Sequence, residues 1–197
     1  MKRGKTEDQY TVVELQQGAA EWLEWRNDGI GASDAPTIMG ENPWKNPTEL
    51  LDEKLGRGRP FAGNAATRRG TALEPFARKR YESDKCIEVS PLCLQSTEYE
   101  WMRVSLDGIS PDRRHVVEIK CGDSVYNKTA ASGKVPPYYV GQLQHILAVT
   151  GGPSIDFFCY LPQRDPVCVN VLRDDDYIAR MISVEQDFWN QVLQNRS

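Results

Sequence analysis

Asp107, Glu118 and Lys120 bring two carboxylates and an ammonium to one short stretch, Val104 to Cys121, V-S-L-D-G-I-S-P-D-R-R-H-V-V-E-I-K-C. The stretch reads as two strands joined by a polar turn. Val104 and Leu106 alternate with polar neighbours, Gly108, Ser110, Pro111 and Asp112 supply the turn, and Val116, Val117 and Ile119 resume the apolar pattern. Asp107 closes the first strand. Glu118 and Lys120 lie two apart on the second and share a face. A charge on an inward strand face must be paired or bound to a metal. Asp107 and Glu118 would hold Mg²⁺, a hard cation that favours oxygen ligands, with the Ile119 carbonyl completing the set. Lys120 would orient or deprotonate a water beside the metal, or neutralise charge on a phosphate. An ordinary hairpin with a solvated Glu/Lys edge accounts for the same residues, since edge strands often carry charge.

The elements around this hairpin offer further groups. A helix is expected from about residue 18 to 27, carrying Trp22, Leu23, Trp25 and Arg26. G-I-G-A-S-D-A follows, in which Ser33 or Asp34 is a suitable N-cap for a short helix reaching Met39. Arg26 and Ser33 read either as an anion pocket at a helix N-terminus or as a plain helix corner with a surface arginine. A helix opens at Pro47-Thr48-Glu49 and is stopped by Gly56; residues 56–64 form a mobile basic loop. A long helix is expected over about 65–81, interrupted by Glu74 and Pro75, with proline expected to bend it. Glu74 is then either aimed at a specific target or paired with Arg78 at i,i+4.

Strands are expected at about 86–94, 101–109 and 116–121, followed by a polar loop. Pro136-Pro137 leads into a helix over about 138–149, ended by Gly151-Gly152-Pro153; its Gln142 looks either inward or to the surface. Strands at about 155–161 and 167–172 precede a final amphipathic helix, about 174–194, capped by Asp174 or Asp175. Residues 1–10 read as a flexible lead-in. This order of helices and strands predicts an α/β or α+β fold, a central mixed β-sheet with helices on both faces, within one domain spanning 1–197.

Composition narrows the class. No apolar run is long enough for a transmembrane helix, and MKRGKTEDQY has no apolar core of a signal peptide. Five cysteines, an odd number without C-x-x-C, point to reduced thiols in a cytosolic protein and away from zinc and iron–sulfur sites. Neither a P-loop nor a G-x-G-x-x-G is present. Net charge is −4, yet Lys54 to Arg80 holds eight basic residues and one acid, a stripe compatible either with contact to a DNA backbone or with a solvated helix face.

Taken in order, the motifs are W-x-x-x-R-x-x-G-I-G-A-S-D-A at 22–35, R-G-T-A-L-E at 69–74, S-L-D-G at 105–108, E-I-K-C at 118–121 and Y-Y-V-G-Q-L-Q-H-I-L-A-V-T-G at 138–151. This series resembles the lambda-exonuclease or YqaJ-type viral recombinase nucleases, a branch of the PD-(D/E)xK superfamily with a restriction-endonuclease-like fold. It covers about residues 22–161. Leu106 replaces the proline usual before the aspartate, a position that is no ligand. The resemblance implies that Asp107, Glu118 and the Ile119 carbonyl are metal ligands and Lys120 the catalytic lysine. It implies that Glu74 helps hold a second metal or its waters, and that Arg26, Ser33, Ser105 and Gln142 grip a 5′-terminal phosphate. It further implies Mg²⁺-dependent (or Mn²⁺-dependent) 5′→3′ digestion of double-stranded DNA from its ends, a homotrimeric ring, and a single-strand annealing protein as partner in recombination. A DNA endonuclease on the same fold and a non-catalytic DNA-binding module are the alternatives.

Overall fold

The computed structural model describes residues 9–58 and 65–196. Residues 1–8 of the expected lead-in and 59–64 of the expected basic loop lie outside the described residues. In chain order the elements are β1 (Tyr10–Val13), α1 (Ala20–Asn27), β2 (Ile30–Gly31), α2 (Ala35–Ile38), α3 (Pro47–Lys54), α4 (Ala65–Lys85), β3 (Ser90–Ser96), β4 (Met102–Ile109), β5 (Val116–Lys120), α5 (Asp123–Ser132), α6 (Val140–Thr150), β6 (Ser154–Cys159), β7 (Val167–Leu172) and α7 (Asp175–Arg196).

The sheet is mixed, in the order β1-β3-β4-β5-β6-β7, with β2 also paired to β4. The β4–β5 and β3–β4 pairs are antiparallel, while β5–β6 and β2–β4 are parallel. β6 is buried along nearly its whole length because both its faces are covered. One apolar layer joins Leu106, Val104, Phe157 and Val116 to Leu143, Ile146, Met181 and Phe188 of α6 and α7. The opposite face packs Val117, Ile119, Cys121 and Phe158 against Ala77 and Tyr81 of α4. The α/β architecture with helices on both faces is as expected from the sequence.

The arrangement along one edge of β4 positions the site. β3 takes the other edge, pairing with Arg103 to Leu106 and again with Ile109 across a register shift. On the site edge, Met102 and Arg103 pair with β2, and Gly108 and Ile109 pair with β5. Between them, Val104 to Asp107 has no strand neighbour on that edge among the described residues. The sheet is thus notched where β4 presents Ser105 and Asp107.

Several local expectations are corrected. The stretch after β5 is the helix α5, not a polar loop. Its buried residues are few, Val125, Tyr126 and Thr129, too sparse a stripe to stand out among D-S-V-Y-N-K-T-A-A-S, and Gly133 ends it at φ 64°. α4 continues unbroken through Pro75 to Lys85, so β3 begins at Ser90 rather than Cys86. Cys86 adopts φ 55°, where the helix ends. Tyr10 starts an edge strand rather than belonging to a lead-in. α6 begins at Val140, after a 3₁₀ turn over Pro137–Tyr139. α3 does open as read, at Pro47, with an Asn46/Glu49 capping box. The basic stretch is not a single solvated stripe. Lys54 is buried against Asp34 at 2.8 Å, Arg69 pairs with Asp123, Arg78 with Glu74 and Arg80 with Asp84.

Candidate active site

Asp107 stands at the notch, where β4 leaves β2 and has just begun to meet β5. Its Oδ2 accepts the Ile119 N–H at 2.7 Å, tying the end of β4 to β5. The Tyr160 N–H donates to the Lys120 carbonyl on the β6 side. Successive strand carbonyls point to opposite edges, so that of Ile119 faces the β4 side, with Asp107. Glu118 and Lys120 share the face towards α6. Glu118 Oε1 accepts from Lys120 Nζ at 2.7 Å and from Gln142 Nε2 at 2.6 Å, and Lys120 Nζ also donates to Gln142 Oε1 at 3.3 Å. The ammonium lies 4.8 Å from the Tyr139 ring centroid. Gln142 therefore looks inward, bonded to both members of the Glu118–Lys120 pair.

The electrostatics of this cluster are unbalanced. Burial pushes the Asp107 carboxyl well above the usual carboxylate range, and the charge of Glu118 pushes it further, against the pull of Lys120. Burial works against the Lys120 ammonium, but Glu118 and Asp107 outweigh it and hold the amine charged. The half-buried Asp107 and the buried Glu118 thus share one nearby ammonium, and a divalent cation would supply the missing positive charge. The donors are all oxygen, which suits Mg²⁺. Among the described residues, no group of three or more His, Cys, Asp or Glu side chains gathers to hold a metal. Mg²⁺ commonly takes one or two carboxylates and keeps several waters, so Asp107, Glu118 and the Ile119 carbonyl fit it.

Glu74 takes the local option. Its Oε1 is bound by Arg78 Nη2, one turn along α4, and Arg78 Nε donates to the Asp107 carbonyl at 2.6 Å. The Arg78 guanidinium thus links the Glu74 carboxylate to the Asp107 backbone carbonyl, and Glu74 acts on the Asp107 carboxyl through its charge. It is not gathered with Asp107 and Glu118 as a third carboxylate.

The other side of the notch carries the cationic and hydroxyl groups. Arg26 Nη2 donates to Ser33 Oγ at 2.9 Å, and the guanidinium lies 4.7 Å from the Trp22 ring centroid. Trp22 Nε1 reaches across to donate to Ser105 Oγ at 2.8 Å. Asp34 occupies the N-cap position of α2, as expected, but its side chain makes no capping hydrogen bond. Asp34 instead accepts the Gly31 N–H at 3.0 Å and pairs with Lys54. Its burial works to raise its carboxyl, but Lys54 and Arg26 hold it below the usual range. Lys54 also donates to the Arg26 carbonyl at 3.1 Å, so this buried pair fastens α3, α1 and the β2–α2 corner together.

These two sides enclose one cleft of about 200 Å³, lined by Arg26, Ser33, Ser105, Asp107, Glu118 and Gln142, and also by Gln17, Trp22, Trp25 and Arg103. Glu74 and Lys120 stand outside that lining, Lys120 behind Glu118 and Gln142. The sequence reading did not include Trp22's bond to Ser105 or the Asp34–Lys54 lock. The W-x-x-x-R spacing was the only sequence signal for the former, and nothing local signals the latter.

The model of the YqaJ-like viral recombinase domain family matches residues 21–153. The chain is 30% identical over 175 residues to the uncharacterized protein YqaJ of Bacillus subtilis (strain 168), covering 86% of this chain and 55% of that protein. It is 28% identical over 169 residues to an uncharacterized protein of Acanthamoeba polyphaga mimivirus, covering 78% of this chain and 31% of that one. The chain therefore spans about half the length, or less, of these curated relatives. Among solved structures, it is similar to the alkaline exonuclease of Laribacter hongkongensis, with a TM-score of 0.78 and 27% identity over 90% of this chain and 94% of that chain. The phage-related exonuclease of Haemophilus somnus 129PT shares the fold, with a TM-score of 0.63 and 19% identity over 86% of this chain and 96% of that chain.

Proposed function

Because the chain belongs to the YqaJ-like viral recombinase family, we propose that it is a DNA exonuclease, Mg²⁺-dependent, digesting one strand of linear duplex DNA 5′→3′ from phosphorylated ends. The observation that carries this reading is the shared cleft: the Asp107/Glu118 acids open into the same space as Arg26, Ser33 and Ser105. An anion site in the same cleft as a hydrolytic centre is what end-dependent removal of 5′-mononucleotides requires. The similarity to the Laribacter hongkongensis alkaline exonuclease supports it.

In this reading Arg26 pairs with the terminal 5′-phosphate, and the Ser33 and Ser105 hydroxyls complete its hydrogen bonding. Trp22 holds both Arg26 and Ser105 in place. The next phosphate lies over Asp107 and Glu118. Asp107, Glu118 and the Ile119 carbonyl would hold Mg²⁺, which would supply a nucleophilic water and charge stabilisation at the leaving 3′-oxygen. Lys120, held charged, neutralises developing negative charge and orients the water rather than abstracting its proton. Gln142 fixes the Glu118 carboxylate and the Lys120 ammonium relative to each other. Attack at phosphorus releases the terminal nucleotide as a 5′-mononucleotide and leaves a new 5′-phosphate on the strand. Glu74, through Arg78, adds negative charge near Asp107 and would hold waters of a second metal. The residual 3′-overhang would pass to a single-strand annealing protein, and the active species would be a homotrimeric ring, read out by a solution mass three times that of the chain.

The test is linear duplex DNA carrying a 5′-phosphate on one strand only, with a covalently closed circle as control. Progressive loss of the phosphorylated strand in Mg²⁺, none in chelator, and an intact circle are expected. A nicked or linearised circle would move the activity to an endonuclease, and no cleavage in Mg²⁺ or Mn²⁺ would leave only DNA binding.

A further inference from the structure

Trp44 is 69% exposed, yet it stands on a well-fastened loop. Between α2 and α3, Glu41 accepts from the Tyr177 hydroxyl at 2.9 Å, and Asn42 Nδ2 donates to Thr37 Oγ1 at 2.9 Å. Asn42 Oδ1 in turn accepts the Trp44 N–H at 2.9 Å, and Lys45 pairs with Glu53 at 2.7 Å. A large aromatic side chain held out to solvent on such a loop contributes little to the core and leaves its apolar surface available to a ligand.

The kind of ligand is indicated by where it leads. The Tyr138 and Trp44 rings meet edge-to-face, 4.7 Å between centroids, and Trp44 keeps 69% of its surface exposed. Tyr138 contacts Tyr139 at 4.8 Å, and Tyr139 carries the Lys120 ammonium at 4.8 Å. A row of rings therefore runs from the surface to Lys120. On its other side, Asn42 and Lys45 line an outer groove of about 830 Å³ that shares Arg26 and Ser33 with the cleft. Lys128 Nζ lies 5.1 Å from the Tyr138 centroid and 3.3 Å from its hydroxyl, a cation beside the stack. The hollow beside Trp44 is lined by Glu49, Asp52 and Glu53 of α3 and by Lys45 and Arg57, with Lys45 paired to Glu53. The acids outnumber the cations there, so a polyanion would run on the Lys128 side.

We propose that Trp44 and Tyr138 form a stacking platform for an unpaired nucleobase of the DNA strand entering the cleft, with Lys128 engaging its phosphate. This rests on the nuclease reading of the cleft and adds how the strand is held open beside it. A free aromatic face is sequence-tolerant, since every base has a π-face, and suits an enzyme that must accept each nucleotide in turn.

The experiment titrates 5′-phosphorylated oligothymidylate into the protein in chelator, where no hydrolysis occurs, and follows tryptophan fluorescence. Wild type should be quenched. Trp44→Leu should lose most of that quenching and bind about tenfold more weakly, as loss of one base–aromatic stack implies. Trp44→Phe should retain most of the affinity, and Tyr138→Leu, which keeps the indole, should also weaken binding. Thermal denaturation checks that each variant is folded. Wild-type affinity in both Trp44→Leu and Tyr138→Leu, or no binding by wild type, overturns the platform. Digestion of linear duplex is read in parallel. If wild type digests DNA while Trp44→Leu binds unchanged, the platform fails and the nuclease reading stands; quenching through Trp44 without any digestion supports the platform alone.

Discussion

Lys120 lies 2.7 Å from Glu118 and is held charged by the two carboxylates, so its part in the proposed reaction is that of a fixed cation. Replacing it with Ala removes that charge and leaves Glu118 with Gln142 as its remaining side-chain donor. Single-turnover digestion of a phosphorylated duplex should slow about a hundred- to thousandfold, and wild-type turnover in Lys120→Ala would rule out the assigned mechanism. Arg26 is a different case, because its hydrogen bond goes to Ser33 and its guanidinium to the Trp22 ring rather than to Asp107 or Glu118. Arg26→Ala should erode the preference for 5′-phosphate over 5′-hydroxyl ends by about tenfold or more, the worth of one charged hydrogen bond. The rates on the two kinds of end, compared in one assay, report it; an unchanged ratio would place the phosphate elsewhere.

α6 is the element that delivers Gln142 to the acids, and it is almost entirely buried. A polar pair fixes it against α7: His145 Nδ1 and Glu185 Oε1 lie 2.8 Å apart, both side chains fully buried. His145 Nε2 and Glu185 Oε2 have no hydrogen-bond partner. The pair therefore already runs one bond short on each side, and removing one member leaves the other with none. Glu185→Ala should cost about 3 kcal/mol, the usual penalty for breaking a buried pair, seen as a lower urea midpoint. Glu185→Gln, which keeps an acceptor for the ring, should cost less. Equal midpoints for wild type and Glu185→Ala would show that packing alone holds α6.

Across the whole molecule, the sheet is braced on the face away from the cleft by a second polar cluster. Asp156 on β6 accepts from the Tyr81 hydroxyl of α4 at 2.9 Å and from Asn170 of β7 at 2.8 Å, and pairs with Lys85 at 3.0 Å. Burial works to raise its carboxyl, but Asn170, Lys85 and Tyr81 outweigh it and leave it below the usual range. A carboxylate lowered in the native state contributes stability that is present above its unfolded pKa, about 3.9, and is lost as pH falls through the native value. Wild-type Tm should therefore drop on acidification below about pH 4, and Asp156→Asn should show a shallower drop; parallel curves for the two proteins would remove Asp156 from the acid response. Among the described residues no helix is long and apolar enough to cross a membrane, and the five cysteines are free thiols.

The sequence by itself determined the hairpin that presents Asp107, Glu118 and Lys120, the alternation of helices and strands, and the motif order that marks the family. Each of these is written in neighbouring residues: strand period, turn chemistry and spacing act over a few positions. It did not reveal α5, whose buried stripe is sparse, or β2, whose two residues carry no period. It left Gln142, Glu74 and the Arg26/Ser33 corner each with two readings, because burial and pairing depend on distant partners. Tertiary structure decided them: Gln142 reaches Glu118 across 24 positions, and Trp22 reaches Ser105 across 83. Glu74 settles for Arg78, four positions away. The cleft forms where β2 and β5 take the same edge of β4 and leave Val104 to Asp107 without a strand partner among the described residues, a consequence of strand pairing that no local pattern encodes.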